Sequence, residues 1–178
     1  MALVDLLEAK KETICKKWFE TVISDYAPDA AAFFQNTANE FANPVGATAR
    51  KSLDALFDAL LSGRDDAAVA GIIDPMIRIR AVQAFSPSRA TGFVFSLKPI
   101  VREVVKKHRA RESAAGELIR FEARIDRMAL VGFDVFMQCR EKIYELKTNE
   151  ERSKTYKAFA RAGLIKDVNP EEPNLKFI

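Results

Sequence analysis

Leu118-Ile119-Arg120-Phe121-Glu122-Ala123-Arg124-Ile125-Asp126-Arg127-Met128-Ala129-Leu130-Val131-Gly132-Phe133-Asp134-Val135-Phe136-Met137-Gln138-Cys139 is the stretch that decides the fold. Within it Leu118, Phe121, Ile125, Met128, Gly132, Val135 and Cys139 recur at alternating steps of three and four, and Ile143 and Leu146 continue the series. That period belongs to an amphipathic α-helix, not to a strand, whose side chains alternate every second residue. Across residues 128–137 both sides of the helix are apolar, which predicts a segment wrapped by other helices. Asp134 stands alone there and must find a partner or face water.

Working outward, the same period recurs almost everywhere. Leu3, Leu7, Ile14, Trp18 and Val22 give one apolar face to a helix over residues 2–24. Tyr26-Ala27-Pro28 interrupts it, and a short helical piece follows through Phe33 and Phe34. Asn43-Pro44 reads as a helix start, Leu53, Leu56, Phe57, Leu60 and Leu61 form its stripe, and Gly63 ends it. Asp74-Pro75 and Ser86-Pro87 look like two further starts, because a proline in the first turn lacks an N–H that would be unpaired there anyway. Pro99 falls inside the second of these patterns and predicts a kink near residue 95. Thr148 with Glu151 fits a capping box, so a fresh helix is expected there, carrying Tyr156 and Phe159 inward and stopping at Gly163. Residues 167–178, with Pro170 and Pro173, read as an extended tail after a helical domain over 1–166. The expected fold is an all-α, single-domain bundle of six to eight helices.

Bulk properties agree. The 178 residues carry 28 Lys+Arg against 25 Asp+Glu, and 48% are hydrophobic, which excludes an intrinsically disordered chain. A chain of this length buries roughly 70% of its extended surface and needs no staples. Two cysteines do not build a disulfide framework and point to a reducing cytoplasm. Asp5, Glu8, Lys10 and Lys11 interrupt the N-terminus before an apolar signal core forms, and no run approaches the ~20 residues that span a bilayer.

Chemistry is sparse. His108 is the single histidine, which excludes paired-histidine metal sites, and it sits among cations at a solvated helix end. Neither Cys15 nor Cys139 lies in a Cys-x-x-Cys motif; they read as small buried hydrophobes, or as a redox pair if their sulfurs come within disulfide reach. Neither a phosphate-cradling glycine loop nor a nucleophile elbow occurs. Catalytic residues, a metal and a cofactor are therefore not expected. Residues 98–111 hold six cations, Arg102, Lys106 and Lys107 among them, against Glu103 alone. They read as a solvated helix end or as a docking patch for an acidic partner surface; with no aromatic platform interleaved, nucleic acid is disfavoured. Arg80 shares its face with Ile73, Ile77 and Ala84, so its guanidinium must be paired internally or hold an anion. In the second case Arg80, Gln83 and Phe85 are the ligand-binding candidates, with an apolar, fatty-acid-like ligand lying among some of the thirteen phenylalanines. Leu175 and Phe177 are candidate apolar anchors for a partner protein, and the length of the apolar stripe on the last helix makes a homodimer a further expectation.

Three stretches carry a resemblance: Glu12-Thr13-Ile14-Cys15-Lys16-Lys17-Trp18, Phe41-Ala42-Asn43-Pro44-Val45-Gly46, and Ile77-Arg78-Ile79-Arg80-Ala81-Val82-Gln83-Ala84-Phe85-Ser86-Pro87-Ser88. Together they resemble the RsbRD-type N-terminal domain found in stressosome-like co-antagonists of the RsbT kinase, over roughly residues 3–146. The resemblance implies a globin-related, all-helical sensory or regulatory module that need not hold haem, placed in cytoplasmic signal transduction with a regulatory protein as partner. Such modules usually precede a STAS output domain. Here Asn169-Pro170-Glu171-Glu172-Pro173 is followed by no α/β pattern, so the resemblance points to sensing or partner binding.

Overall fold

A computed structural model describes residues 2–36, 41–83, 85–108 and 115–164, and every regular element among them is helical. The order is α1 (Leu3–Ala9), α2 (Lys11–Ile23), α3 (Pro28–Asn36), α4 (Pro44–Ser62), α5 (Asp66–Val82), α6 (Pro87–Thr91), a 3₁₀ turn (Gly92–Val94), α7 (Leu97–Lys107) and α8 (Ala115–Arg161). The chain divides into two compact units, Met1–Arg140 and Glu141–Ile178. The core lies in the first.

The apolar face over residues 2–24 is buried as its spacing requires, with Leu7, Ile14 and Trp18 fully enclosed. It is carried by two helices, not one. Lys10 leaves the helical region (φ −110°, ψ 9°), and α1 and α2 both lie against α4 and α7. Asn43 caps α4 by accepting the Gly46 N–H at 2.9 Å, Pro44 opens the helix, and Gly63 closes it at φ 66°. Only a residue tolerant of the left-handed region serves at that last position.

The Asp74-Pro75 start is not used. α5 begins at Asp65, whose carboxylate accepts the Ala68 N–H at 2.9 Å, and runs through Pro75. The buried series Val69, Ile73, Met76, Ile77 and Ala81 continues across the proline, and packing of that face outweighs one missing backbone hydrogen bond. Asp74 instead pairs with Arg78 one turn on, at 2.6 Å.

Ser86-Pro87 does open a helix, but α6 lasts one turn and the chain re-forms as α7. The kink expected near residue 95 is there as a complete break between the 3₁₀ turn and α7, and Pro99 sits in the first turn of α7, where no N–H is needed. The Phe93 carbonyl at the break is taken up by Trp18 Nε1 at 2.8 Å and Ser96 Oγ at 2.6 Å. Trp18 and Phe93 also approach ring to ring at 6.2 Å.

No fresh helix starts at Thr148. α8 continues to Arg161, because residues 143–147 contain no breaker and Lys154 pairs with Glu150 at 2.8 Å along its surface. Tyr156 and Phe159 are exposed, contrary to expectation, and the helix closes just before Gly163 (φ 65°). In the first unit α8 buries Phe121, Ile125, Met128, Gly132, Val135 and Phe136. A Cβ added to Gly132 would stand 3.0 Å from Ile73 Cδ1, so a side chain there would make the end of Ile73 give by a few tenths of an ångström. The expectation that residues 128–137 are wrapped on both sides fails: Leu130, Phe133 and Met137 are 59%, 43% and 38% exposed. The other helices of the bundle reach only one side of α8.

Candidate functional site

Arg80 is the most enclosed charge in the described chain, with 0% exposure on the inward face of α5. Its Nη1 donates to Asp25 Oδ2 at 3.1 Å and to the Arg89 carbonyl at 2.8 Å, and Nη2 donates to the Val22 carbonyl at 3.0 Å. One guanidinium thus ties the C-terminal end of α2 to α5 and α6. The Phe93, Phe85 and Tyr26 rings lie 4.9, 5.2 and 5.7 Å from its central carbon, so their π faces add to the enclosure. Arg89 braces the same corner, donating to the Asp25 carbonyl at 2.7 Å and lying 4.8 Å from the Phe85 ring. Burial pushes the Tyr26 phenol up, and the neighbouring Arg80 charge opposes that rise. The Arg80 Nε is buried without a hydrogen-bond partner.

Of the three ligand-binding candidates, Arg80 and Phe85 meet and Gln83 does not join them. Gln83 is the exposed C-cap of α5, its N–H bound to the Ile79 carbonyl at 3.1 Å. Ala84 lies outside the described residues. Asp25, Tyr26 and Arg89 complete the corner. They lie 55, 54 and 9 positions from Arg80 in the chain, and no spacing rule links them to it.

The basic end of α7 is only partly available. Arg102 is held bidentately by Glu122, Nε to Oε1 at 2.6 Å and Nη2 to Oε2 at 2.7 Å. Lys107 pairs with Glu103 at 2.7 Å, and Lys17 of α2 meets the same carboxylate at 2.8 Å. These two ammonium groups hold the Glu103 carboxyl down to about 2. Lys106 is exposed and, with Val105, Leu118 and Ile119, lines a groove of about 440 Å³ between α7 and α8. His108 caps α7 in solvent, as expected. Arg109, Arg111, Leu175 and Phe177 lie outside the described residues.

Both cysteines are unpaired. Cys15 is buried beside Asp54, and its thiol is pushed up to about 12, by desolvation first and by the Asp54 carboxylate next. Cys139 is half-buried near Arg78 and Asp74, and burial raises it too. Both are protonated at neutral pH and weak as nucleophiles or metal ligands. Among the described residues no cluster of His, Cys, Asp or Glu is arranged to hold a metal ion, and no helix is long and apolar enough to cross a membrane. Asp134 faces solvent.

The described residues therefore define an all-α module with one buried arginine tied internally and with apolar and basic residues left on its surface. A family model described as the RsbT co-antagonist protein rsbRD N-terminal domain matches residues 12–150, and the chain belongs to that family. It is a stressosome-type signalling domain, of a regulatory family and not a known enzyme class. No curated protein and no solved structure matches the chain.

Proposed function

We propose that the chain is a non-catalytic, cytoplasmic regulatory module that works by binding a partner protein and biasing that partner's state. The observation that carries the reading is family membership over residues 12–150. Two features support it: the exposed apolar residues Leu130, Phe133 and Met137 on α8, and Lys106 beside the α7–α8 groove. In this reading residues 1–166 are the regulatory domain, residues 167–178 form a tail with Leu175 and Phe177 as anchors, and the acidic partner surface meets Arg102, Lys106 and Lys107. Two copies make the working unit.

A second reading is a small-molecule sensor at Arg80, favoured by the buried, unpartnered Nε. It is the weaker one, because Asp25 and the Val22 and Arg89 carbonyls already take three of the five guanidinium N–H groups.

Native mass spectrometry of freshly purified protein separates the two. Under the partner reading the native and denatured masses of the subunit agree, and Lys106→Glu with Lys107→Glu weakens complexes with an RsbT-type kinase or a STAS-domain protein. Excess mass lost on denaturation, together with a partner affinity indifferent to those substitutions, overturns it in favour of the sensor.

A further inference from the structure

Lys98, Arg102 and Lys106 stand four residues apart on α7, so they line one edge of that helix. α8 supplies acids along that edge. Lys98 Nζ meets Asp126 Oδ1 at 2.6 Å, and Arg102 holds Glu122 through two bonds at 2.6 and 2.7 Å. Each step of four forward on α7 is thus a step of four back on α8, the register of an antiparallel pair. The third step sets Lys106 against Leu118, whose side chain has no acceptor. Two rungs of this ladder are filled and the last is open.

The carboxylates beside the open rung are engaged elsewhere. Glu103 takes Lys107 and Lys17, at 2.7 and 2.8 Å. Glu122 is bound to Arg102, and Glu117, next to Leu118 in the chain, accepts the Leu3 N–H at 2.7 Å. Lys106 has no carboxylate partner among the described residues. At the same level lies the groove of about 440 Å³ between the two helices. Val105 is buried in it, Leu118 is half-buried, and Ile119 is 69% exposed. The site therefore offers one unmatched positive charge beside apolar surface. It suits a negative charge and an apolar group held side by side. The exposure of Ile119 carries the apolar surface out of the groove, which fits side chains presented by a protein better than an enclosed small molecule.

We propose that the open rung is a docking point for a heterologous partner protein. An Asp or Glu of that partner pairs with Lys106, and a Leu- or Ile-sized neighbour covers Val105, Leu118 and Ile119. This rests on the partner reading above and narrows its basic surface to one cation, since carboxylates of this chain already hold Arg102 and Lys107.

The test titrates the full chain with a purified RsbT-type kinase and, separately, with a STAS-domain protein. Lys106→Glu should weaken the complex by about 10-fold or more, because two like charges then face each other. Lys107→Glu removes a lysine that is already paired and exposed, and should change affinity by less than about 3-fold. Leu118→Glu should weaken the complex as Lys106→Glu does, although it removes no cation, because it fills the third rung from within. Helical circular dichroism and melting temperature should hold in each variant; if Leu118→Glu fails to fold, Ile119→Glu gives the same readout from a more exposed position. Charge exchange is the sharpest arm. Among partner variants with single acidic residues changed to Lys, one should regain affinity for Lys106→Glu while losing it for the wild type. A complex indifferent to Lys106→Glu and to the glutamate in the groove overturns the docking point and leaves the partner reading standing. Equal losses from Lys106→Glu and Lys107→Glu overturn it in favour of a diffuse basic surface. No complex with the wild-type chain overturns the docking point and the partner reading together. Excess native mass that Lys106→Glu removes assigns the groove to an organic acid and overturns the protein occupant.

Discussion

Arg80 and Phe133 are inversions of the same rule. A guanidinium sits at 0% exposure inside the bundle, and a phenyl ring sits at 43% exposure outside it. The usual preference is the reverse on both counts. Arg80 is tolerated because acceptors from α2, from the turn after it and from α6 meet it and three rings enclose it. Phe133 lies one residue from the buried Gly132, two from the buried Val131 and three from the buried Phe136, yet it stands exposed on the other side of the helix. The difference teaches where this molecule is finished and where it is open. The Arg80 corner is closed by the chain's own groups, and the outer side of α8 is not.

The comparison breaks most visibly at Arg80. Arg80→Ala should destabilise the protein by about 3–5 kcal/mol, because it leaves Asp25 and two carbonyls without their donor and a void among the rings. Chemical denaturation with a two-state fit checks this, and a loss under about 1 kcal/mol would mean that the corner is solvated and not closed. Next comes the pair across α8. Phe136→Ala should lose about 3–5 kcal/mol and Phe133→Ala less than about 1 kcal/mol in a dilute, dissociated sample. Equal losses would erase the distinction between the two faces. Asp25→Asn should fall between, near 1–2 kcal/mol, since its amide oxygen still accepts from Arg80 while the charge is gone.

The smallest effect concerns Glu103. Its carboxyl is held down to about 2 by Lys107 and Lys17, below the ordinary 4.5. A depressed folded-state value means that the stabilisation is fully present above about 4.5 and is lost as pH falls toward 2. The group is exposed, so the effect should be slight and should shrink with added salt. Comparing acid titrations of the wild type and Glu103→Gln at low and high salt measures it.

The sequence carried the helices well, because apolar period and end caps are local properties. Asn43, Ser86 and Gly63 act where they were read, and the buried stripe of α8 follows its spacing. Errors came where a local signal competed with packing. Pro75 looked like a start and lies mid-helix, because the buried face runs through it. Thr148 and Glu151 looked like a cap and lie mid-helix, because nothing before them breaks the turn. The site was half legible. An arginine on an apolar face announced that it needed partners, but Asp25, more than fifty positions away, is brought near by the fold alone. The two apolar sides of residues 128–137 were visible too; which of them the bundle leaves uncovered is decided by tertiary packing.

Trp18 gives this architecture an optical readout. It is the single tryptophan, fully enclosed, with its indole N–H on the Phe93 carbonyl and its ring beside the Phe93 ring. Phe93 in turn lies against Arg80. Emission from the native protein should be blue-shifted and poorly quenched by iodide. Any event that loosens the joint between α2 and the 3₁₀ turn, whether unfolding, a core substitution or a bound effector, should redden it without an added label.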